Sequence, residues 1–312
     1  MLVLGDLILD HYIWGRVDRI SPEAPVVVVQ VTQEDKRPGG AGNVVNNLVA
    51  LGAKVAVRGV VGDDESGRTL VKMLTDAGVN TSGVVVDRTR PTTIKTRVIA
   101  HAQQVVRVDR EITEPISSPI VGEMMNGFDR AVSQAQGVLV SDYAKGVIVP
   151  SVMENLRGCI AALGKPIPFL VDPKAPNFSL YAGATVIKPN RGEAQAASGI
   201  AITNRERAIA AGKILVEKWN CKMVLITLGE DGMVLVAGDH GREQAYEIET
   251  RAQEVYDVSG AGDTVSAVFG LALASGADPK AAAQLANIAA GIVVAEVGTV
   301  AITRDQLHQV IG

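Results

Sequence analysis

Short, wholly apolar runs recur along this chain with amphipathic helical patterns between them, and that alternation restricts the fold more than any other feature. The runs fall at 1–5, 54–60, 137–141, 167–171, 185–187, 223–227 and 233–236, and the helical patterns at 41–51, 66–77, 119–132, 150–162 and 205–218. A strand that shows no polar alternation is one buried on both faces. Such strands alternating with helices predict an α/β, three-layer fold, a mostly parallel central sheet covered by helices. Ligands of such sheets bind beyond the C-terminal strand ends. That rule gathers Asp6, Ser141, Asp142, the 172–174 segment and the 188–190 segment around one crevice. From Ala261 onward, helix formers and small residues predict helices near 261–275, 279–297 and 303–310.

Two stretches break the alternation. Residues 25–33 are rich in valine, and 91–109 read as a hairpin turning near 101–104. With period-two alternation, Thr93, Lys95 and Arg97 share one face, and Ile94, Thr96 and Val98 share the other. In the return arm Arg107 and Asp109 lie opposite Val106 and Val108. A small sheet with one polar and one apolar face can cover a polar ligand and pack against another sheet. We read segments of about 11–34 and 91–110 as a β-sheet lid on a single 1–312 domain, with the apolar face as a homodimer contact; solvated edge strands fit the same pattern.

Charge and composition exclude several classes. A net charge of -4 without a basic block gives no footprint for nucleic acid. No run reaches the roughly 18 apolar residues of a membrane span, and no signal sequence is recognisable, so the expected location is cytoplasmic. Cys159 and Cys221 are too few for a disulfide framework, and their apolar contexts suit reduced core residues. His11, His101, His240 and His308 have no metal-ligand spacing.

The chemistry concentrates in Asp257-Val258-Ser259-Gly260-Ala261-Gly262-Asp263-Thr264, a glycine-rich turn opening a small-residue helix. Glycines let backbone N–H groups approach a ligand, and a helix N-terminus favours anions. Asp263 at that position can accept a proton from a hydroxyl attacking phosphorus, or simply stabilise the helix end. Neither common nucleotide fingerprint is present: no lysine follows the glycines as a P-loop requires, and Val45 stands where the last Rossmann glycine belongs. A second glycine turn, Gly39-Gly40-Ala41-Gly42-Asn43, opens the first helix, and Asn43 suits either sugar hydroxyls or a helix cap.

These two segments, in this order, resemble the paired signatures of the ribokinase-like (PfkB) carbohydrate kinases, and the resemblance runs over nearly the whole chain. It implies ATP and Mg²⁺ as cofactors, with Asp263 as catalytic base and the amides of Gly260, Ala261 and Gly262 receiving charge. It places Asp6, Asp10, Gly39, Gly40 and Asn43 on the sugar, with Asp142 as a further ligand. Lys188, Asn190, Arg191, Gly192, Glu193, Thr227, Gly229, Gly232 and Asn287 fall on the ATP side. Asn190 and Glu193 would organise Mg²⁺ through water, and Asp257 lies where the family often holds a monovalent cation such as K⁺.

A finer resemblance concerns substrate. Asp10-His11-Tyr12-Ile13-Trp14-Gly15, the 19–26 segment, Ser141-Asp142-Tyr143-Ala144-Lys145-Gly146 and Val171-Asp172-Pro173-Lys174 are similar to D-glycero-β-D-manno-heptose-7-phosphate kinases. That group phosphorylates the 1-hydroxyl on the route to ADP-heptose and the lipopolysaccharide core. Many members are fused to an adenylyltransferase, so such a partner domain or enzyme is expected. The substrate's phosphate needs cations, for which Lys95, Arg97, Arg107, Lys145 and Lys174 are candidates. Competing readings are a kinase for ribose, fructose or a nucleoside, a non-catalytic sugar or nucleotide sensor, and a Rossmann oxidoreductase.

Overall fold

The computed structural model describes residues 1–101, 103–238, 243–250, 257–296 and 298–311. The chain begins with β1 (Leu2–Gly5), passes into β2 (Leu7–Ile20) and β3 (Val27–Gly40), and enters α1 (Ala41–Ala50). Then follow β4 (Ala56–Gly62), α2 (Glu65–Asp76), β5 (Asn80–Asp87), and the hairpin β6 (Thr93–Ala100) and β7 (Gln103–Arg110). The middle of the chain supplies α3 (Ser118–Met124), α4 (Phe128–Gln134), β8 (Val138–Ser141), α5 (Pro150–Ala162), β9 (Phe169–Asp172) and β10 (Val186–Ile187). The last third contributes α6 (Arg191–Ser198), α7 (Arg205–Lys218), β11 (Met223–Thr227), β12 (Met233–Ala237), β13 (Gln244–Ile248), α8 (Ala261–Ala274), α9 (Pro279–Val293) and α10 (Arg304–Ile311).

The large sheet has nine strands in the order β13-β12-β11-β10-β9-β8-β1-β4-β5. It is parallel from β11 to β5, and β12 alone runs against the other strands, pairing antiparallel with both β11 and β13. Both faces are covered, which is why the inner strands carry no polar alternation. Leu2, Leu4, Val138 and Val140 point into one core, whereas Val3, Leu139 and Leu170 point into the other. From β1 the chain winds to β4 and β5 in one direction, then returns at β8 and continues through β9 to β11 in the other. The order therefore reverses between β1 and β8. A crevice opens at such a switch point, and Asp6 and Asp142 follow those two strands.

Two sheet strands escape a reading of apolar runs, and both are edges. β5 begins Asn-Thr-Ser-Gly, and β13 alternates polar with apolar residues, as half-solvated edge strands do. The pattern at 119–132 is not one helix: Gly127, at φ 63, divides it into α3 and α4. The expected helix 279–297 ends at Val293; Val297, like His240 and Ala102 of the expected lid turn, lies outside the described residues.

The second sheet has the order β3-β2-β6-β7. It is longer than expected, because β2 begins at Leu7 and β3 runs to Gly40, directly into α1. Register places Arg37, Asp10, Lys95 and Asp109 in one row, and Asp35, Tyr12, Arg97 and Arg107 in the next row on the same face. The opposite face presents Val31, Val106 and Val108 at 49%, 47% and 55% exposure. The polar face docks on the large unit: Thr299 donates from its amide to the Tyr12 hydroxyl, and Arg37 donates to the Thr299 carbonyl at 3.1 Å. Tyr12 lies between the Arg37 and Arg97 guanidinium groups, 5.4 and 5.3 Å from its ring centre.

Candidate active site

Two adjoining clefts open where α8 begins. The first, of about 560 Å³, is lined by Asp142, Tyr143, Asp172, Lys174, Lys188, Asn190, Arg191, Gly192, Glu193, Thr227, Gly229, Gly260, Gly262 and Asp263. The second, of about 650 Å³, shares Arg191, Thr227, Gly229 and Gly262 and adds Gly232, Met233, Ala261, Val265, Asn287 and Ala290. A charged compartment thus joins a more apolar one across the helix start, a shape suited to polyphosphate beside a flat, apolar group.

The helix start itself is built by Gly260, whose left-handed φ of 80 turns the chain into α8. A Cβ there would lie 2.6 Å from Asn43 Nδ2, so the position needs glycine for space as well as for conformation. Asp263, 4% exposed, stands in the first turn, where backbone amides lack helical acceptors. Asn43 donates from Nδ2 to Asp263 Oδ2 at 2.8 Å, and Tyr143 donates its hydroxyl to Oδ1 at 2.6 Å. Burial, with the nearby Asp172 charge, raises the Asp263 carboxyl to about 7, against the lowering effect of those two donors and of Lys188. A carboxylate poised near neutrality inside a phosphate-sized cleft has the protonation behaviour required of a general base.

Lys188, only 3% exposed, follows β10 and pairs with Asp172 at 3.1 Å. Its Nζ lies 3.5 Å from where a Gly262 Cβ would stand, so its ammonium group adjoins the helix mouth. Burial raises the Asp172 carboxyl, against the lowering effects of Lys188 and of the Ser266 hydroxyl. Lys174 pairs with Glu193 at 2.9 Å. Asn190 and Glu193 form a reciprocal capping box at the start of α6, each side chain accepting from the other's amide. Asn190 and Glu193 therefore build a helix end first. No group of three or more acidic, histidine or cysteine side chains suited to a metal occurs among the described residues. Asp172 and Glu193, which line the first cleft, would suit an Mg²⁺ held through its waters.

Several of the residues expected to meet substrate make contacts within the protein. Asp6 is 1% exposed, and its carboxylate accepts from the backbone amides of Tyr143, Lys145 and Val147 at 2.8, 3.1 and 3.2 Å. It anchors the loop after β8 rather than facing the clefts; burial and the Asp142 charge raise it to about 6. Asp142 accepts from the Ala144 amide, Asn177 and the Tyr181 hydroxyl. Asp10 is buried against Arg97 at 2.5 Å, with Gly39 packed directly on its carboxylate. Asn43 donates to Asp263. Gly40, at φ 56, donates no side chain and turns β3 into α1.

The lid cations are also paired. Lys95 lies 3.3 Å from Asp109 and 3.8 Å from Glu111, Lys145 lies 2.7 Å from Glu111, and the half-exposed Arg107 lies 3.0 Å from Asp109. None of Asp6, Asp10, Gly39, Gly40, Asn43, Lys95 or Arg107 lines either cleft. Asp257 accepts from the amides of Ser259 and Gly298; burial pushes its carboxyl up, but these bonds and Arg97 bring it below the ordinary value. Its carboxylate closes a turn, and carbonyls at 251–256 and 297 lie outside the described residues. Sequence reasoning placed Asp172 at the crevice without giving it a role, and it gave Tyr143 no role at the site. Their signals were position near the strand ends and membership of the 141–146 and 171–174 segments.

The family model described as pfkB family carbohydrate kinase matches residues 1–306. The chain is 48% identical over 307 residues to the Bifunctional protein HldE of Desulfatibacillum aliphaticivorans, covering 98% of this chain and 62% of that protein. It is 48% identical over 298 residues to the Bifunctional protein HldE of Geobacter metallireducens, covering 96% and 60%. It thus spans about three-fifths of the length of the curated relatives it matches. Among solved structures, phosphofructokinase-2 from Escherichia coli in complex with substrates and products superposes with a TM-score of 0.77 at 18% identity, covering 99% and 97% of the two chains. Arabidopsis thaliana ribokinase complexed with ribose and ATP gives 0.75 at 20% identity, covering 99% and 97%.

Proposed function

The chain belongs to the pfkB family of carbohydrate kinases, and from that membership we propose that it transfers the γ-phosphoryl group of ATP to the 1-hydroxyl of D-glycero-β-D-manno-heptose 7-phosphate, giving the 1,7-bisphosphate for ADP-heptose and lipopolysaccharide core synthesis. One observation carries the transfer: a buried carboxyl near pKa 7, Asp263, stands at the mouth of α8 beside the buried ammonium of Lys188. Asp263 takes the hydroxyl proton as that oxygen forms its bond to phosphorus and the bond to the ADP oxygen breaks. Lys188 and the first-turn amides face the charge that develops. The second cleft, with Gly232 and Asn287, suits the adenine. Mg²⁺, when bound, would neutralise the phosphates, with Glu193 and Asn190 reaching it through water.

The heptose assignment rests on the 10–26 and 141–146 segments and agrees with relatives named bifunctional, whose remaining length leaves room for an adenylyltransferase. A panel of ribose, fructose, nucleosides and heptose 7-phosphate, read by ADP release and by the carbon phosphorylated, tests it. A kcat/KM for ribose or fructose above that for the heptose phosphate rejects the substrate. Within the same panel, Lys95→Ala and Arg107→Ala are expected to raise KM for the phosphorylated sugar by about tenfold, as loss of a charge-assisted contact would. Equal effects on the phosphorylated and unphosphorylated sugars would remove these lid residues from the phosphate subsite.

The exposed Val31, Val106 and Val108 support a homodimer through the outer lid face. Val106→Glu together with Val108→Glu is expected to give a monomer in light scattering. A wild-type monomer, or a variant that stays dimeric, sinks that arrangement.

A further inference from the structure

The loop after β8 is more firmly fixed than a surface loop needs to be. Three of its amides donate to Asp6, and a fourth donates to Asp142 at 2.7 Å. Ala144 is held at φ 54, which a side-chain-bearing residue adopts only when its surroundings dictate it. Gly146, at φ 89, has no space for a Cβ, which would lie 2.1 Å from the Glu114 carbonyl oxygen. The product of this construction is the placement of one side chain, Tyr143, whose hydroxyl reaches Asp263 Oδ1 from across the first cleft.

We propose that Tyr143 is a positioning residue for phosphoryl transfer, orienting the Asp263 carboxylate through its hydroxyl so that the open lone pairs face the acceptor hydroxyl. The proposal rests on the reading of Asp263 as the base. A carboxylate offers about four acceptor sites over its two oxygens. Tyr143 takes one on Oδ1 and Asn43 takes one on Oδ2, which fixes the plane of the group and leaves one site on each oxygen. Asn43 is itself held by Asn47, whose Nδ2 donates to the Asn43 carbonyl at 2.9 Å and lies 3.4 Å from Oδ1. Asn47 Oδ1 accepts from Thr264 and Ile302, so that side of the cradle is tied to α8 and to the segment before α10. Tyr143 is tied to β1 and β8 through Asp6. The base is thereby gripped from both sides of the switch point.

The charges around Asp263 make this grip matter. Asp172 disfavours the ionised carboxylate, and the two donors and Lys188 favour it. Tyr143 cannot replace Asp263 as a base, because burial and the neighbouring Asp263 and Asp172 charges raise its phenol well above the ordinary value. Its hydroxyl stays protonated and acts only as a donor to the carboxylate.

Tyr143→Phe removes that donor and keeps the ring. In kcat/KM against pH, with heptose 7-phosphate and ATP, the acidic limb is expected to move upward by about one pH unit. The plateau is expected to fall by about tenfold, as for a misaligned general base. Near-ultraviolet dichroism and thermal melting on the same samples report folding. A limb and plateau both within about twofold of wild type overturn the proposal, and a variant that fails to fold overturns it in favour of a structural role. If Asp263→Asn is inactive while Tyr143→Phe moves nothing, only the Tyr143 assignment falls. If Asp263→Asn retains turnover, the base assignment itself falls.

Discussion

Asp263→Asn is expected to lower kcat by about 10²–10⁴-fold while leaving the fold and nucleotide binding in place. The substitution suits the site unusually well. The asparagine oxygen can accept from Asn43 Nδ2, as Oδ2 does now, and its amide can donate to the Tyr143 hydroxyl, which accepts as readily as it donates. Shape and hydrogen bonding are kept, and only the capacity to take a proton is removed. In the wild type, kcat/KM should fall as pH drops through about 7, because the base is lost on protonation. The stability consequence has the opposite sign. The folded carboxyl lies above the ordinary aspartate value of 3.8, so its favourable contribution is complete below about 4 and is lost as pH rises through about 7. At pH 8 the wild type carries a buried charge that the asparagine variant lacks, so the variant should melt at the same temperature or higher. Near-normal kcat in a folded variant would reject the base. A variant that melts much lower at pH 8 would show that the site is not strained by the charge.

What the sequence made legible, and what it hid, divide along physical lines. The inner strands of the large sheet were readable because burial on both faces removes polar residues from them, as in β8 and β11. The edge strands β5 and β13 were not, because half-solvated strands look like loops. The Gly260–Asp263 turn was legible because φ 80 and the absent Cβ demand glycine, and glycine is visible in a sequence. Asp6 and Asp10 were visible as acids, but a sequence does not say what an acid faces. The structure turns Asp6 toward three amides and Asp10 toward Arg97. The roles of Tyr143 and Asp172 remained hidden because each comes from a contact across 120 residues in one case and 94 in the other. Such long-range contacts follow from strand order, and the reversal between β1 and β8 cannot be read from local pattern.

Lys188→Met should produce the second large effect, a fall in kcat of about 10²–10³-fold with a higher KM for ATP. Lys188 is the cation buried most deeply in the first cleft, and its ammonium adjoins Gly262 at the helix mouth. Methionine keeps the length and the apolar packing of the stem but withdraws the charge that would face the transferring phosphoryl group. Loss of Lys188 also leaves Asp172 without its counter-ion, and breaking one side of a buried pair can cost about 3–5 kcal/mol. A loss of activity in the single variant could therefore reflect destabilisation. The double variant Lys188→Met with Asp172→Asn separates the two effects. It removes both charges, keeps an acceptor for the Ser266 hydroxyl, and relieves Asp263 of the repulsion from Asp172. Its acidic limb should lie at lower pH than that of the single variant, and its melting temperature should approach the wild type, while kcat stays low. Recovery of kcat together with stability would mean that Lys188 only balances Asp172. Low kcat in a stable double variant would place the lysine on the phosphates.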